Sequence, residues 1–302
     1  MGYLDLLDVA LRPGAEALSE DFAALQVAWI EARQRPDGGF AGRAGGSDLY
    51  YTDFALRALD LLAPESSAFA AAADFLRSQA PPADVVGAFS ALSCARLLAR
   101  HGHPVDLERP LLAAVVARQA RLEGGFAAPG TAELSAYASF LGTLCREMLG
   151  EPTDLKRSAR AVCALRCDDG GFGEREEQPR AQTNATAAAV ALLAMAGALT
   201  EGEARAAGGF LAAMQGPDGG LRAHAEAPAG DLLSTFTGLL TLTMVGGVEA
   251  LDLPALGRFV RATARAEGGF AASAADPGAD VEYAYYGIGT LALLRSMMAR
   301  ER

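Results

Sequence analysis

Basic charge is what this 302-residue chain has least of: 26 Lys and Arg stand against 37 Asp and Glu, for a net charge of −11. That balance excludes a nucleic-acid backbone partner, which calls for a basic face. Cysteine is scarce as well, with four at irregular positions (94, 145, 163 and 167). The first residues, MGYLDLLDVAL, lack the basic stretch of a signal peptide. Together these features predict reduced thiols and a cytoplasmic protein. The chain has a single tryptophan, Trp29, and no DxDD motif. The longest uncharged run, Ala181 to Thr200, is long enough to span a bilayer. It contains Gln182, Thr183 and Asn184 and occupies a helix slot of the repeat described next, so no transmembrane segment is expected.

Glycine, in contrast, is abundant and ordered. Gly-Gly pairs recur at 38–39, 124–125, 170–171, 219–220 and 268–269, in the settings PDGGF, LEGGF, DDGGF, PDGGL and AEGGF. Consecutive spacings are 86, 46, 49 and 49 residues, and 86 is twice 43, so a degenerate unit lies between the first two. It carries Pro81-Pro82 where the glycines would be. A fixed period of this length marks an array of equal supersecondary units. Before each pair runs an amphipathic stretch, such as Asp106 to Leu122 with Pro110 near its start. After each comes a loop, then a stretch apolar nearly all round, beginning at Tyr51, Val85, Ser135, Thr186, Ser234 and Tyr283. Helices apolar on every face need protein around them, whereas amphipathic ones can border water. The expected fold is therefore all-α: an (α/α)6 barrel of six helix–loop–helix repeats with Gly-Gly turns. One domain should span 1–302, with repeats at roughly 20–63, 68–100, 106–150, 154–199, 201–247 and 252–299.

Alternating helices put all the inner N-termini on one rim, where free N–H groups suit an anion. The polar residues at these starts are Asp48, Tyr50 and Tyr51; Glu133 and Ser135; Gln182 and Asn184; Asp231 and Ser234; and Asp280, Glu282 and Tyr283. Helix capping accounts for many of the same letters. Asp231, Asp280 and Glu282 are the candidate catalytic residues. Converging on a rim, they would hold Mg²⁺, or one would act as an acid through like-charge repulsion.

The unit "Gln-x-x-Asp-Gly-Gly-Phe, short loop, Tyr-Thr-x-x-Ala-Leu-x-x-Leu", seen in QRPDGGFAGRAGGSDLYYTDFALRALDLL from Gln34 and in QGPDGGL from Gln215, resembles the repeat of protein prenyltransferase β subunits and squalene/terpene cyclases. The resemblance covers essentially the whole chain. It implies an α-α toroid whose central cavity holds an isoprenoid, and hence an isoprenoid diphosphate or another prenyl lipid as ligand. It also implies a helical-repeat partner like the α subunit of those enzymes. The prenyltransferase zinc site places an Asp at Asp231, but its Cys position is Leu233 and its His position is Tyr283. Zinc needs about four donors, so a zinc site is not expected and Asp231 is its one retained position. A family His that meets the diphosphate corresponds to Gln182, and the fifth-repeat cations have only Arg222 and His224 near them. The segment SAY at 135–137 matches one whose Tyr borders the isoprenoid, marking Tyr137. The expected ligand-binding set is thus Tyr50, Tyr51, Tyr137, Gln182, Asn184, Arg222, His224, Phe236 and Tyr283. Three readings stay open: a zinc-free prenyltransferase-like enzyme, a class II terpene cyclase without DxDD, and a non-catalytic toroid that binds lipid or protein.

Overall fold

The hydrogen bonds of the Gly-Gly turn explain the repeated motif letter by letter. Gln34 Nε2 donates to Gly38 O (2.9 Å) and to Ala68 O (2.8 Å), tying the turn to the next outer helix. Gln215 does the same with Gly219 O and Asp252 O, both at 3.0 Å. Asp37 Oδ1 accepts from Gly39 N (3.0 Å), as Asp169 does from Gly171 and Asp218 from Gly220. The N–H after the pair, at Phe40, donates to Thr52 Oγ1 of the inner helix (3.0 Å). Ser139, Thr186 and Thr235 serve Phe126, Phe172 and Leu221 in the same way, each at 2.9 Å. The first glycine of each pair has φ between 87° and 109°. At Gly38 a Cβ would also overlap the Ala71 carbonyl of the next outer helix. Only glycine satisfies both demands.

In a computed structural model the described residues are 2–176 and 180–300. The extreme ends of the expected 1–302 domain lie outside them. In chain order the elements are α1 (Tyr3–Glu16), α2 (Glu20–Glu31), α3 (Leu49–Leu62), α4 (Ala68–Ser78), α5 (Val85–Arg100), α6 (Arg109–Gln119), β1 (Phe126–Ala127), β2 (Leu134–Ser135), α7 (Ala136–Leu149), α8 (Leu155–Val162), α9 (Thr183–Met195), α10 (Glu201–Ala213), α11 (Leu232–Val245), α12 (Leu253–Thr263) and α13 (Val281–Arg300). The strands form one antiparallel pair in register Phe126 to Ser135 and Ala127 to Leu134. The protein is mostly helical, and the inner helices are α3, α5, α7, α9, α11 and α13. Helix α1 lies before the first repeat. The uncharged run at 181–200 folds as α9, 13 residues long, against the roughly 20 needed to span a bilayer. No helix among the described residues is long and apolar enough to cross a membrane.

The helices fall into two compact units. Unit one comprises residues 2–82, 90–108 and 259–300, and unit two the rest of the described chain. In unit one, α3 packs against α1, α2, α4 and α13. Its core holds the fully buried Phe40, Phe69, Phe75, Phe270, Leu56 and Leu59, side chains worth roughly 1.5–3 kcal/mol each when buried. The sixth repeat meets the first here: Gly268 and Gly269 lie against Trp29, and Gly269 N donates to Gln26 Oε1 at 2.8 Å. In unit two, α7, α9 and α11 pack in series, with α6, α8 and α10 against them. Leu134, Val162, Leu165, Phe172, Ala189 and Leu192 form part of that core. All four cysteines are free thiols.

Candidate functional site

In unit one, α3 and α13 begin with the same device. Asp48 Oδ1 accepts from Tyr51 N (2.8 Å) and Asp280 Oδ1 from Tyr283 N (3.0 Å), so both aspartates are helix caps. The two helices are tied together where Tyr50 OH donates to Glu282 Oε1 at 2.8 Å. Arg43, from the first loop, grips Asp276 with both terminal nitrogens (2.8 and 2.6 Å) and Asp280 with Nε (2.9 Å). Its guanidinium lies 5.6 Å from the centre of the Tyr283 ring. The Arg43 contact holds Asp276 below the ordinary carboxylate range. Burial pushes Glu282 above it, opposed by the Tyr50 hydroxyl and reinforced by Asp280. Burial also raises Tyr51, with Glu282 and Asp280 adding to the effect.

Beneath this polar rim the inner face turns aromatic. Phe54 meets Tyr50 edge-on at 5.0 Å, Tyr286 edge-on at 5.2 Å and Tyr285 at 5.7 Å. Tyr283 and Tyr286 are 6.2 Å apart. One turn further along α3 sits a buried ion pair: Arg57 to Asp53, 2.7 Å. Arg57 also donates to Ser93 Oγ on α5 (3.2 Å) and lies 5.7 Å from the Tyr285 ring. Burial lifts Asp53 above its ordinary value although Arg57 pulls it back. Sequence reasoning passed over this pair because the stretch YTDFALRALDLLA reads as apolar nearly all round. The signal was its charged exceptions, Asp53, Arg57 and Asp60, spaced to share one face.

Unit two uses the same helix starts with different contents. Ser135 caps α7 and its hydroxyl donates to Glu174 Oε1, while Tyr137 N donates to Glu174 Oε2 (3.3 Å). Burial raises the Glu174 carboxyl against these two hydrogen bonds. Glu174 was not expected; it reaches α7 from the following repeat's loop, 39 residues away from Ser135. Tyr137 is 38% exposed and Phe236 is buried. Gln182 precedes α9 without a side-chain capping bond. Asn184 Oδ1 accepts from Thr237 Oγ1 of α11 (2.9 Å). Arg222 is spent on carbonyls, donating to Met214 O, Ala225 O and Ala213 O. His224 is half-buried in the same loop. Asp231 caps α11 with both oxygens on Ser234, one to the backbone N–H and one to the hydroxyl, each at 2.8 Å. Burial raises it, with Ser234 opposing.

The three expected carboxylates stand at two helix starts. Asp280 and Glu282 share the start of α13 in unit one, with Tyr50, Tyr51 and Tyr283 around them; Asp231 starts α11 in unit two. Among the described residues, no three His, Cys, Asp or Glu side chains are grouped to hold a metal ion.

The sequence pattern of the prenyltransferase alpha-alpha toroid domain matches residues 3–160 and 139–302. The chain belongs to this family. Among solved structures, the toroid is similar to protein geranylgeranyltransferase-I from Candida albicans complexed with GGPP, with a TM-score of 0.71 at 13% identity over 90% of each chain. It is also similar to the type II terpene cyclase MstE from Scytonema, with a TM-score of 0.65 at 15% identity, covering 92% of this chain and 97% of that one. A variant of that cyclase in complex with geranylgeranyl dihydroxybenzoate gives 0.63 at 15% identity, over 94% and 98%. At such identities the likeness shows the toroid fold alone. No curated protein sequence matches the chain.

Proposed function

We propose that this toroid binds a prenyl diphosphate with Mg²⁺ and acts on it as a zinc-free, prenyltransferase-type enzyme. The observation that carries the reading is the aromatic wall of unit one, Tyr50, Phe54, Tyr283, Tyr285 and Tyr286, set directly beneath a polar rim of helix starts. Such a wall suits a branched, unsaturated chain, and the N-termini above it suit the anionic head. Both named relatives hold a geranylgeranyl group. The head should arrive neutralised by Mg²⁺, because Arg43 and Arg222 are committed to protein acceptors. Zinc does not fit: Leu233 offers no donor, and both Asp231 oxygens are on Ser234.

A second reading is favoured by one observation. Glu282 keeps its proton to higher pH than an ordinary glutamate and stands beside the aromatic wall. In that reading its carboxyl donates the proton to a double bond of the chain. The carbocation formed faces aromatic rings, and loss of a proton from an adjacent carbon restores an alkene.

Thermal unfolding with geranyl, farnesyl and geranylgeranyl diphosphates, and with geranylgeraniol, each with and without Mg²⁺, tests the proposal. A ligand at 100 times its Kd should add about 2.7 kcal/mol. Stabilisation by a diphosphate that requires Mg²⁺ is expected. Equal stabilisation by geranylgeraniol replaces the diphosphate reading with plain lipid binding. No shift with any of them overturns the proposal in favour of a partner-dependent or non-catalytic toroid.

A further inference from the structure

Helix α1 belongs to no repeat, yet it packs on the inner helices α13 and α3 of unit one. At Gly14 the approach is so close that a Cβ would overlap the Ala292 carbonyl of α13. Along another flank, α1 leaves a cavity of about 470 Å³ against the ends of α3 and α5. That volume falls within the roughly 300–1,000 Å³ of small-molecule sites. From Tyr50 to Asp60 helix α3 rises about 15 Å, so the cavity lies at the far end of that helix from the polar rim.

The cavity is anchored by Asp60, which is almost fully buried. Its Oδ2 accepts from Arg12 Nη2 (3.0 Å) and Arg100 Nη1 (2.9 Å), and its Oδ1 meets His101 Nε2 at 2.7 Å. A carboxylate that takes two guanidinium donors only accepts, so Nε2 carries the imidazole proton and Nδ1 presents its lone pair. The His101 ring is held flat on Phe69, with centroids 4.0 Å apart and planes at 20°. Its side chain is 10% exposed and lines the cavity, and Nδ1 makes no hydrogen bond among the described residues.

Asp8 offers a second open acceptor. Its Oδ2 is taken by Arg96 (2.9 Å) and Arg100 (2.7 Å), while Oδ1 has no partner among the described residues. Donors stand in the same lining. Arg12 spends one N–H of each terminal nitrogen on Asp60, and Arg100 spends one on Asp60 and one on Asp8. Each guanidinium keeps Nε–H and a second N–H on each terminal nitrogen.

Charge narrows the choice of ligand. Arg12, Arg96 and Arg100 balance Asp5, Asp8 and Asp60, with Asp5 joined to Arg96 at 3.3 Å. A lone anion would answer the guanidiniums but not the open acceptors, on a chain that already carries a net charge of −11. A lone cation would leave the guanidinium N–H groups unanswered. A zwitterion on a short link satisfies both sets.

We propose that this cavity binds a free amino acid. The carboxylate takes the unspent N–H groups of Arg12 and Arg100, and the ammonium donates to Asp8 Oδ1 and His101 Nδ1. Val9 and Pro64 complete the lining and suit an aliphatic side chain. The site is separate from the aromatic wall, and the proposal stands whether or not a prenyl chain binds there.

Proton NMR of the full chain tests the site. The protein has three histidines, His101, His103 and His224, so the ring C–H resonances can be assigned with single His→Gln variants. Titration with L-leucine should shift the His101 resonances saturably and leave those of His103 and His224 in place. Acetate and methylammonium, each with half of the recognised chemistry, should bind about tenfold more weakly or worse, the usual loss with a charge-assisted hydrogen bond. Glycine betaine keeps both charges but has no N–H to donate, and should bind no better than acetate. Arg12→Gln should weaken L-leucine by a similar factor. Should that variant fail to fold, Val9→Trp serves instead: Val9 is 60% exposed, makes no ion pair, and a larger side chain there fills the cavity. An unmoved His101, or an L-leucine affinity unchanged by Val9→Trp, overturns the site. Equal binding of acetate would make it a plain anion site, and equal binding of betaine would show that the open acceptors are not used; either result overturns the amino-acid assignment.

Discussion

Six of the seven tyrosines lie in unit one, and only Tyr137 lies in unit two. The turns of the two units nevertheless match bond for bond: Gln34 and Gln215 make the same pair of contacts, as do Thr52 and Thr235. What differs is the inner face. Unit one fills it with rings and a buried Asp–Arg pair. Unit two fills it with alanines along α9 and with side-chain bonds such as Asn184 to Thr237. The repeat thus secures the frame, and the residues free of turn duty carry the chemistry. That is why five good copies of a motif identify a fold so readily and an activity so poorly.

The largest predicted effect comes from breaking what the units share. Gly38 and Gly45 both have φ of 87°, but only Gly38 is pressed against a neighbouring backbone, that of Ala71. Gly38→Val should cost more than about 4 kcal/mol, or prevent folding, whereas Gly45→Val should cost only the ~1–2 kcal/mol of a left-handed residue. Urea unfolding midpoints measure both. Equal losses would show that conformation alone matters and that the close packing of the turn does not.

The next prediction sharpens the difference between the inner faces. Asp53→Ala leaves Arg57 buried without its carboxylate and should destabilise by roughly 3–5 kcal/mol. Asn184→Ala in unit two removes one neutral hydrogen bond and should cost about 1 kcal/mol. Replacing the pair together, Asp53→Leu with Arg57→Met, should recover most of the loss. A double variant as unstable as the single one would mean that the pair contributes more than mutual neutralisation.

The frame was legible because its determinants are local. Gly, Asp and Gln of one turn bond within a few residues and to the next helix, so they recur in the sequence at the repeat period. The expected starts of inner helices at Tyr51, Val85, Ser135, Thr186, Ser234 and Tyr283 fall within three residues of the observed Leu49, Val85, Ala136, Thr183, Leu232 and Val281. The contents of the site were legible only as letters at helix starts. That Tyr50 meets Glu282, 232 residues away, or that Arg43 spends itself on Asp276 and Asp280, depends on the sixth repeat packing on the first. Helix α1 has no Gly-Gly turn and no counterpart in the other repeats, so periodicity is blind to it.

The smallest predicted effects concern two carboxylates at equivalent helix starts, Glu282 and Asp231, both raised by burial. Each keeps its proton to higher pH when folded than when unfolded. Stability should therefore fall as pH rises from the ordinary carboxylate value to the raised one, and level off above it. Asp276, lowered by Arg43, works in the opposite sense: its contribution is present at neutral pH and is lost as pH falls through its folded value. Glu282→Gln and Asp231→Asn should each remove part of the fall, and Asp231→Asn should keep the cap, since Asn caps as well as Asp. Denaturation at a series of pH values from roughly 4 to 7, spanning the carboxylate range, reads these slopes. A bound prenyl diphosphate then separates the two carboxylates. If the head sits at the rim of unit one, ligand should alter the Glu282-dependent slope and leave the Asp231-dependent one alone. The reverse pattern would move the site to unit two, where Tyr137 is the only tyrosine available to receive the chain.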